Sequence, residues 1–507
     1  MRKGTLLLLL LTGYLGLTAQ KKPVIAPNKQ AVLSSIQTHE KELVTLSDQV
    51  WSFAEIAMKE HKSAKVLSDY AEQQGFRVQR NVAEIPTAFI AEYGFGKPII
   101  GILGEFDALP GLSQKAQTSK DPLNAGAAGH GCGHNMFGAA SLGAAVAIKE
   151  LIASGKLKGT IRFYGTPAEE DLGGKVYMAR AGVFNDLDIC LDWHPSYENL
   201  ANMQSSQAVV DYTVSFKGKS AHAAADPWNG KSALDAAELF SIGMNFLREH
   251  IKPSVRIHYV YKDGGNIPNV IPDKASVWIW IRDSKRSGVS VVEERMKQIA
   301  KGAAMMAGVE VDMHLNNGLY ELLVNETGAK TLHANMELVG PITYTKEELA
   351  FADTIMKAYG GESYGIDGSI KPLEVTRPDP DGGSTDVGDV SFIVPEITLN
   401  AVTAPYKSPW HSWVVVFKFP NFQILVVSQI FKLLLRPKTP RSPRPPQKNN
   451  HIIILFGLDI DELKFINGDG TQMPNKCSLE YPGSSGFFWF CITKVKDEVI
   501  CSCLPEK

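Results

Sequence analysis

The chain has 507 residues, with 52 Lys and Arg against 54 Asp and Glu, which is more than one hydrophobic core usually organises and leaves the net charge near zero. That balance, without a long run of one sign, excludes the electrostatic footprint of a nucleic-acid or anionic-membrane partner and points to a small-molecule one. Four of the six cysteines (Cys477, Cys491, Cys501, Cys503) crowd into the final stretch, so no disulfide framework spans the main body.

In chain order, residues 1–19 read as a signal peptide. Arg2 and Lys3 supply the positive region, 6–17 the apolar region and Thr18-Ala19-Gln20 a small-residue exit, so cleavage is expected after Ala19. The apolar run falls short of the roughly 20 residues a spanning helix needs. The expectation is an exported protein, periplasmic or secreted, with no membrane segment beyond the signal.

Residues 20–205 form the first part of an α/β catalytic domain. Apolar runs of strand length (98–104, 161–164, 189–191) alternate with helical patterns such as the Ala/Leu-rich 136–151, which predicts a mostly parallel central sheet with covering helices. From about Ser206 the texture changes: Val210, Tyr212, Val214 and Phe216 alternate with Asp211, Thr213, Ser215 and Lys217, a strand with one wet face. The elements that follow give the order β-α-β-β-α-β, so 206–321 is expected to be an inserted ferredoxin-like α+β domain. Residues 322–413 return to the catalytic domain. The tail, 414–507, holds an apolar stretch, a Pro/Arg/Lys-rich link that reads as an extended connector, and the cysteine cluster; it reads as foreign to the domain.

Four segments carry chemistry: GEFDALP (104–110), GHGCGHN (129–135), TPAEED (166–171) and LDWHP (191–195). Each alone has an ordinary reading, as a turn, a polar loop, a solvated helix start or a loop histidine. Three follow apolar strands, however, and loops at the carboxyl ends of parallel strands converge on one crevice. Together they offer a thiolate, two imidazoles and three carboxylates, a set suited to Zn²⁺, Mn²⁺, Co²⁺ or Ni²⁺ rather than Ca²⁺. Adjacent glutamates let one bind metal while its neighbour takes a proton.

With KGKSAHAA, IPNVIP and GSTDVGDVS added, the chain resembles the metallopeptidase family that includes carboxypeptidase G, aminoacylase and the auxin-conjugate amidohydrolases, above all its branch of B-type aminobenzoyl-glutamate hydrolase subunits. The resemblance runs from about Val32 to Trp413. It implies hydrolysis of the amide bond of a small N-acyl amino acid by a water shared between two divalent metal ions, with the inserted domain serving as lid and dimerisation unit. Cys132, His134, Glu170, His194 and His411 are the implied metal ligands, Glu169 the implied general base, and Asp107 the group that orients a ligand. His222 is implied to reach the active site of the other subunit of a homodimer and polarise the scissile carbonyl, and Asn269 to help hold substrate; otherwise they are a structural histidine and a turn residue. The wider family often opens its first motif with His-x-Asp, whereas this chain has Glu105-Phe106-Asp107, so Glu105 is left unassigned. Arg282 reads equally as a partner for a substrate carboxylate or a strand-surface charge, and 382–389 as a cleft-lining or a purely structural loop. Nothing after Trp413 resembles the family's closing helix.

Overall fold

The structure, a computed structural model, describes residues 26–171, 173–373, 382–416, 493–495 and 498–500. The segment expected to be a signal peptide, the proline-rich link and nearly all of the tail lie outside the described residues. Two units divide the chain, Met1–Pro443 with Leu455–Gly457, and Arg444–Ile454 with Leu458–Lys507.

In the first unit, α1 (Pro27–Phe53) begins on a proline, whose missing N–H is harmless at that position. The next helix, α2 (His61–Gln73), is capped from a distance: the amides of Lys62 and Ser63 donate to the Glu55 carboxylate, as does the Ser63 hydroxyl. The catalytic sheet then assembles from β1 (Arg77–Arg80), β2 (Phe89–Phe95), β3 (Ile99–Gly104), β4 (Gly159–Gly165), β5 (Ile189–Ser196), the short β6 (Leu200–Ala201) and, far later, β11 (Glu396–Val402), in the order β1-β2-β4-β3-β5-β11-β6. The parallel character expected from the apolar runs belongs to the four central strands β4, β3, β5 and β11. The flanking pairs β1–β2, β2–β4 and β11–β6 are antiparallel, since the short 81–88 link from β1 to β2 has no room for a crossover helix.

Between β3 and β4 runs α3 (His134–Ala153), buried along most of its length against the sheet and α1. It is long and apolar enough to span a bilayer, but 72% of that apolar window is buried inside the protein, the pattern of a core helix. Two glycines let it approach. Gly133 takes φ +76° at its N-cap, between Cys132 and His134, and a Cβ on Gly138 would lie 2.7 Å from the Glu105 carbonyl oxygen. The close contact presses the end of β3 against the first turn of α3, so Glu105 and Asp107 meet His134.

After α4 (Gly174–Arg180) and β5–β6, the chain builds a second layer pair from β7 (Ala208–Lys217), α5 (Ala233–Leu247), β8 (Arg256–Asp263), β9 (Lys274–Asp283), α6 (Arg286–Ala307) and β10 (Glu310–Leu319). Its antiparallel sheet has the order β10-β7-β9-β8, the ferredoxin-like arrangement that the β-α-β-β-α-β order predicts. Val210, Val214, Phe216, Val277, Ile279 and Ile281 all point into the core beneath α5 and α6, as the alternation requires. Asp211, which alternation places on the wet face, is buried instead; it accepts hydrogen bonds from Trp278 Nε1 and Asn316 Nδ2, so cross-strand pairing overrides solvation.

The chain returns through α7 (Glu326–Val339), α8 (Lys346–Tyr359, with a Thr345/Glu348 capping box) and α9 (Val387–Ser391) to β11. Packing continues three residues past the boundary drawn at Trp413. Val414, Val415 and Val416 are buried, Val414 in a cluster with Ile355, Met356, Ala404 and Trp413, and Trp51 Nε1 donates to the Val416 carbonyl at 2.8 Å. In the second unit, β12 (Thr493–Val495) and β13 (Glu498–Ile500) pair antiparallel.

Candidate metal centre

The carboxyl ends of the four parallel strands supply the site. Glu105 and Asp107 follow β3, Glu169 and Glu170 follow β4, His194 lies inside β5, which extends past its apolar run to Ser196, and His411 closes the loop after β11. Cys132 and His134 come from the loop and first turn that begin α3. Residues as distant in sequence as Glu105 and His411 therefore face one crevice, as the strand-end rule requires.

Asp107 arranges two of them at once. Its Oδ1 is 2.9 Å from His134 Nδ1, and its Oδ2 accepts the Glu170 backbone N–H at 3.0 Å. Burial alone would raise this carboxyl, but the contacts with His134, the Glu170 amide and Lys175 outweigh it and hold the group below the usual range. With Nδ1 committed to Asp107, His134 presents Nε2 to the crevice. His194 is set the opposite way round: its Nδ1 lies 2.7 Å from the Pro195 carbonyl oxygen, so the neutral ring turns a bare Nε2 toward Cys132 Sγ, 3.4 Å away. Burial and the nearby His134 push His194 down to about 4, so it is neutral at pH 7. Trp410 meets the His194 ring edge-on at 6.2 Å between centroids. His411 is held at φ +56°, with its amide donating to the Gly131 carbonyl, and its Nε2 reaches within 3.4 Å of Glu170 Oε2.

Ligand atoms of Cys132, His134 and His194 lie within 4.8 Å of one another, as do those of Cys132, Glu170 and His411, and those of Glu105, His134 and Glu169. Metal–ligand bonds of roughly 2.0–2.3 Å place ligand atoms about 3–4 Å apart, so these spacings suit divalent ions. Glu105 Oε2, His134 Nε2 and Glu170 Oε1 are buried without a hydrogen-bond partner, although the first two approach to 3.1 Å. Stranded acceptors and an imidazole nitrogen converging on one point are costly unless a cation satisfies them. Thiolate, imidazole and carboxylate donors, with Cys132 shared between the first two sets and His134 between the first and third, fit two divalent transition-metal ions.

Glu169 has a different environment. Burial, then Glu105, Glu170 and Asp386, push its carboxyl well above the ordinary value, which suits a group that takes up and returns a proton. Beside it runs a buried chain of charge whose central member, Lys175, lies in no sequence motif: Lys175 Nζ donates to Glu105 Oε1 at 2.6 Å and to Asp386 Oδ1 at 2.7 Å, and the Lys175 amide donates to Asp386 Oδ2. Asp386 belongs to the GGSTDVGD run, so this loop supports the site. Arg282 also reaches it, donating to the Gly382 carbonyl at 3.4 Å while stacked 4.9 Å from the Trp280 ring.

His222 and Asn269 belong to none of these clusters. They sit together, exposed, on two paired loops of the inserted domain: the Ala223 amide donates to the Asn269 carbonyl, and His222 bridges to Val270. His222 Nδ1 accepts from the amides of Ala224 and Ala225, which places its ring proton on Nε2, the nitrogen left to donate outward.

An α/β fold with helices on both faces of its sheet, an inserted ferredoxin-like domain and a Cys/His/Glu double metal cluster defines a metal-dependent amidohydrolase. The chain belongs to peptidase family M20/M25/M40, whose pattern it matches over residues 101–347. It is 37% identical to the B-type subunit of the p-aminobenzoyl-glutamate hydrolase of Escherichia coli K12 over 411 residues, covering 75% of this chain and 85% of that protein. It is 32% identical to the human Xaa-Arg dipeptidase over 382 residues, covering 70% and 76%. Among solved structures, the Bacillus subtilis YXEP protein, a dinuclear metal binding peptidase of the M20 family, shares the fold at 19% identity with a TM-score of 0.52, over 78% of this chain and 98% of that one.

Proposed function

We propose that the chain hydrolyses the amide bond of a compact N-acyl amino acid or dipeptide, with Glu169 as general base and Cys132, His134, Glu170, His194 and His411 as ligands to two divalent ions. The observation that carries this reading is the convergence of these five side chains, two with buried unpartnered atoms, beside Glu169, a carboxyl that is not one of them and sits against His134 and Glu105. Bound there, the ions supply Lewis acidity toward the carbonyl and toward water. Asp107 keeps His134 and Glu170 in register. Glu169 takes the proton of the attacking water and returns it to the leaving nitrogen, so no net proton is gained or lost at the site. His222 donates from Nε2 to the carbonyl oxygen as it becomes an oxyanion, and Asn269, beside it, holds the substrate.

His222 performs this role in the active site of a second copy of the chain, paired through the inserted domain. Two features support the pairing: β8 is an edge strand with Val260 and Tyr261 exposed, and Ile242 and Phe246, one turn apart on α5, are exposed together with Val291, Met305 and Met306 on α6.

The test is turnover by the purified, metal-loaded chain on aminobenzoyl-glutamate, Xaa-Arg dipeptides and N-acetyl and N-benzoyl amino acids. Hydrolysis of at least one with kcat/KM on the order of 10⁴ M⁻¹s⁻¹ or more is expected. A chain that binds both ions yet cleaves none of them would be a binding protein without turnover. Export is part of the proposal and is supported by the pattern of residues 2–20. Protein recovered from the periplasm or medium is expected to begin at Gln20, and an intact Met1 on such protein would refute cleavage.

A further inference from the structure

We propose that Glu60 is a positioning residue for Glu169: its buried carboxyl clamps the left-handed residue immediately before the base. The inference rests on the reading of Glu169 as the base. Glu60 occupies the N-cap position of α2 but makes no capping bond with its side chain, because Glu55 already serves the free amides of that helix. Its side chain turns inward instead and is fully buried. There Oε1 accepts the Ala168 N–H at 2.9 Å, across 108 residues of sequence, and the Met58 N–H at 3.0 Å.

Ala168 is held at φ +61°, a conformation that a residue with a Cβ adopts only when its surroundings enforce it. Its own carbonyl accepts the Gly174 amide at 3.2 Å. Two residues on, the Glu170 amide is fixed by Asp107. Buried carboxyls therefore grip the backbone N–H on each side of Glu169, and the direction in which the base leaves the chain is set by both. Without Glu60, Ala168 is free to relax to negative φ and swing Glu169 away from the reacting water, while Glu170 stays in place on Asp107. The defect belongs to proton transfer and not to metal binding.

The experiment uses the full-length, metal-loaded enzyme and four variants: Glu60→Ala, Glu60→Gln, Glu60→Ala combined with Ala168→Gly, and Glu169→Gln. Glu60→Ala is expected to lower kcat by ~10–100-fold, the scale of a misplaced catalytic group, with KM and metal stoichiometry unchanged. Ala168→Gly, which makes positive φ cost-free, should restore about tenfold of that loss. Glu60→Gln keeps a carbonyl acceptor and should restore kcat to within about threefold of the parent. Unchanged kcat in Glu60→Ala, absence of rescue by glycine, or a hundredfold loss in folded Glu60→Gln overturns the proposal, and the last arm stands even where Glu60→Ala fails to fold. Glu169→Gln separates the two readings. If it is as active as the parent, the base assignment falls and the clamp with it; if it is inactive while Glu60→Ala keeps its kcat, only the clamp falls.

Discussion

Glu169→Gln is expected to lower kcat by ~10²–10⁴-fold while leaving both ions bound. The substitution keeps the shape of the side chain and removes only its capacity to carry a proton. Glu169 stands next to Glu170 but differs from it in company: Glu170 reaches His411 at 3.4 Å and His134 at 4.0 Å, whereas Glu169 is crowded by burial, Glu105, Glu170 and Asp386 into holding its proton well above the usual carboxylate range. Steady-state kinetics with metal analysis on the same sample checks this, and comparable turnover would exclude Glu169. The same variant examines whether His222 acts across the dimer. Mixed with His222→Ala chains under conditions of proven chain exchange, it should recover activity, because one of the two sites in each mixed dimer then holds both intact groups. No recovery would place His222 within its own chain's site or give it a structural role.

Stripping the metal should abolish activity, and titration back should require about two ions per chain, since the five candidate ligands fall into two triads that share Cys132, Cys132–His134–His194 and Cys132–Glu170–His411. Binding should also release protons at pH 7. Cys132 is raised by burial and then by Glu170 and must lose its thiol proton to ligate. Glu170 is raised to about 7 chiefly by burial, so the proton competes there with metal in the neutral range. A raised carboxyl pKa means that the proton competes with metal below it, so apparent affinity should fall as pH drops through 7, by up to about one log unit per pH unit for each proton displaced. His194, already neutral, contributes none. At ~100 Kd of free metal, loading should stabilise the fold by about 2.7 kcal/mol for each ion bound, visible as a raised Tm. Full activity in metal-free protein, or uptake of one ion only, would end the two-ion reading.

Much of the architecture is legible because it is written in short-range pattern. Val277, Ile279 and Ile281 alternate with Trp278, Trp280 and Arg282, and a period of two can only bury one face of a strand. Asp211 reads as solvent-facing because the alternation does not reveal that Trp278 and Asn316, on neighbouring strands, each donate to it. His194 reads as a loop histidine because Pro195 follows it, yet β5 runs on to Ser196 by parallel pairing with β11, a partner roughly 200 residues further along the chain. The last packed residues, Val414 to Val416, show only an apolar composition; their docking depends on α8 and Trp51.

By itself, the sequence determined the order of elements and the two-domain plan, and it placed ligand-type side chains in glycine-rich segments after apolar strands, because these are local features. Tertiary structure alone decided how those side chains are held. Glu105 meets Lys175 across 70 residues, Lys175 meets Asp386 across 211, and Glu60 meets Ala168 across 108. Lys175 and Glu60, taken in their own segments, read as ordinary surface-type charges, and the motifs that contain Glu105, Ala168 and Asp386 do not reveal these partners. Only when the chain closes does burial remove the competing water, so that every carboxylate must find a donor or a cation, and the pairing that results is set by geometry that no local pattern carries.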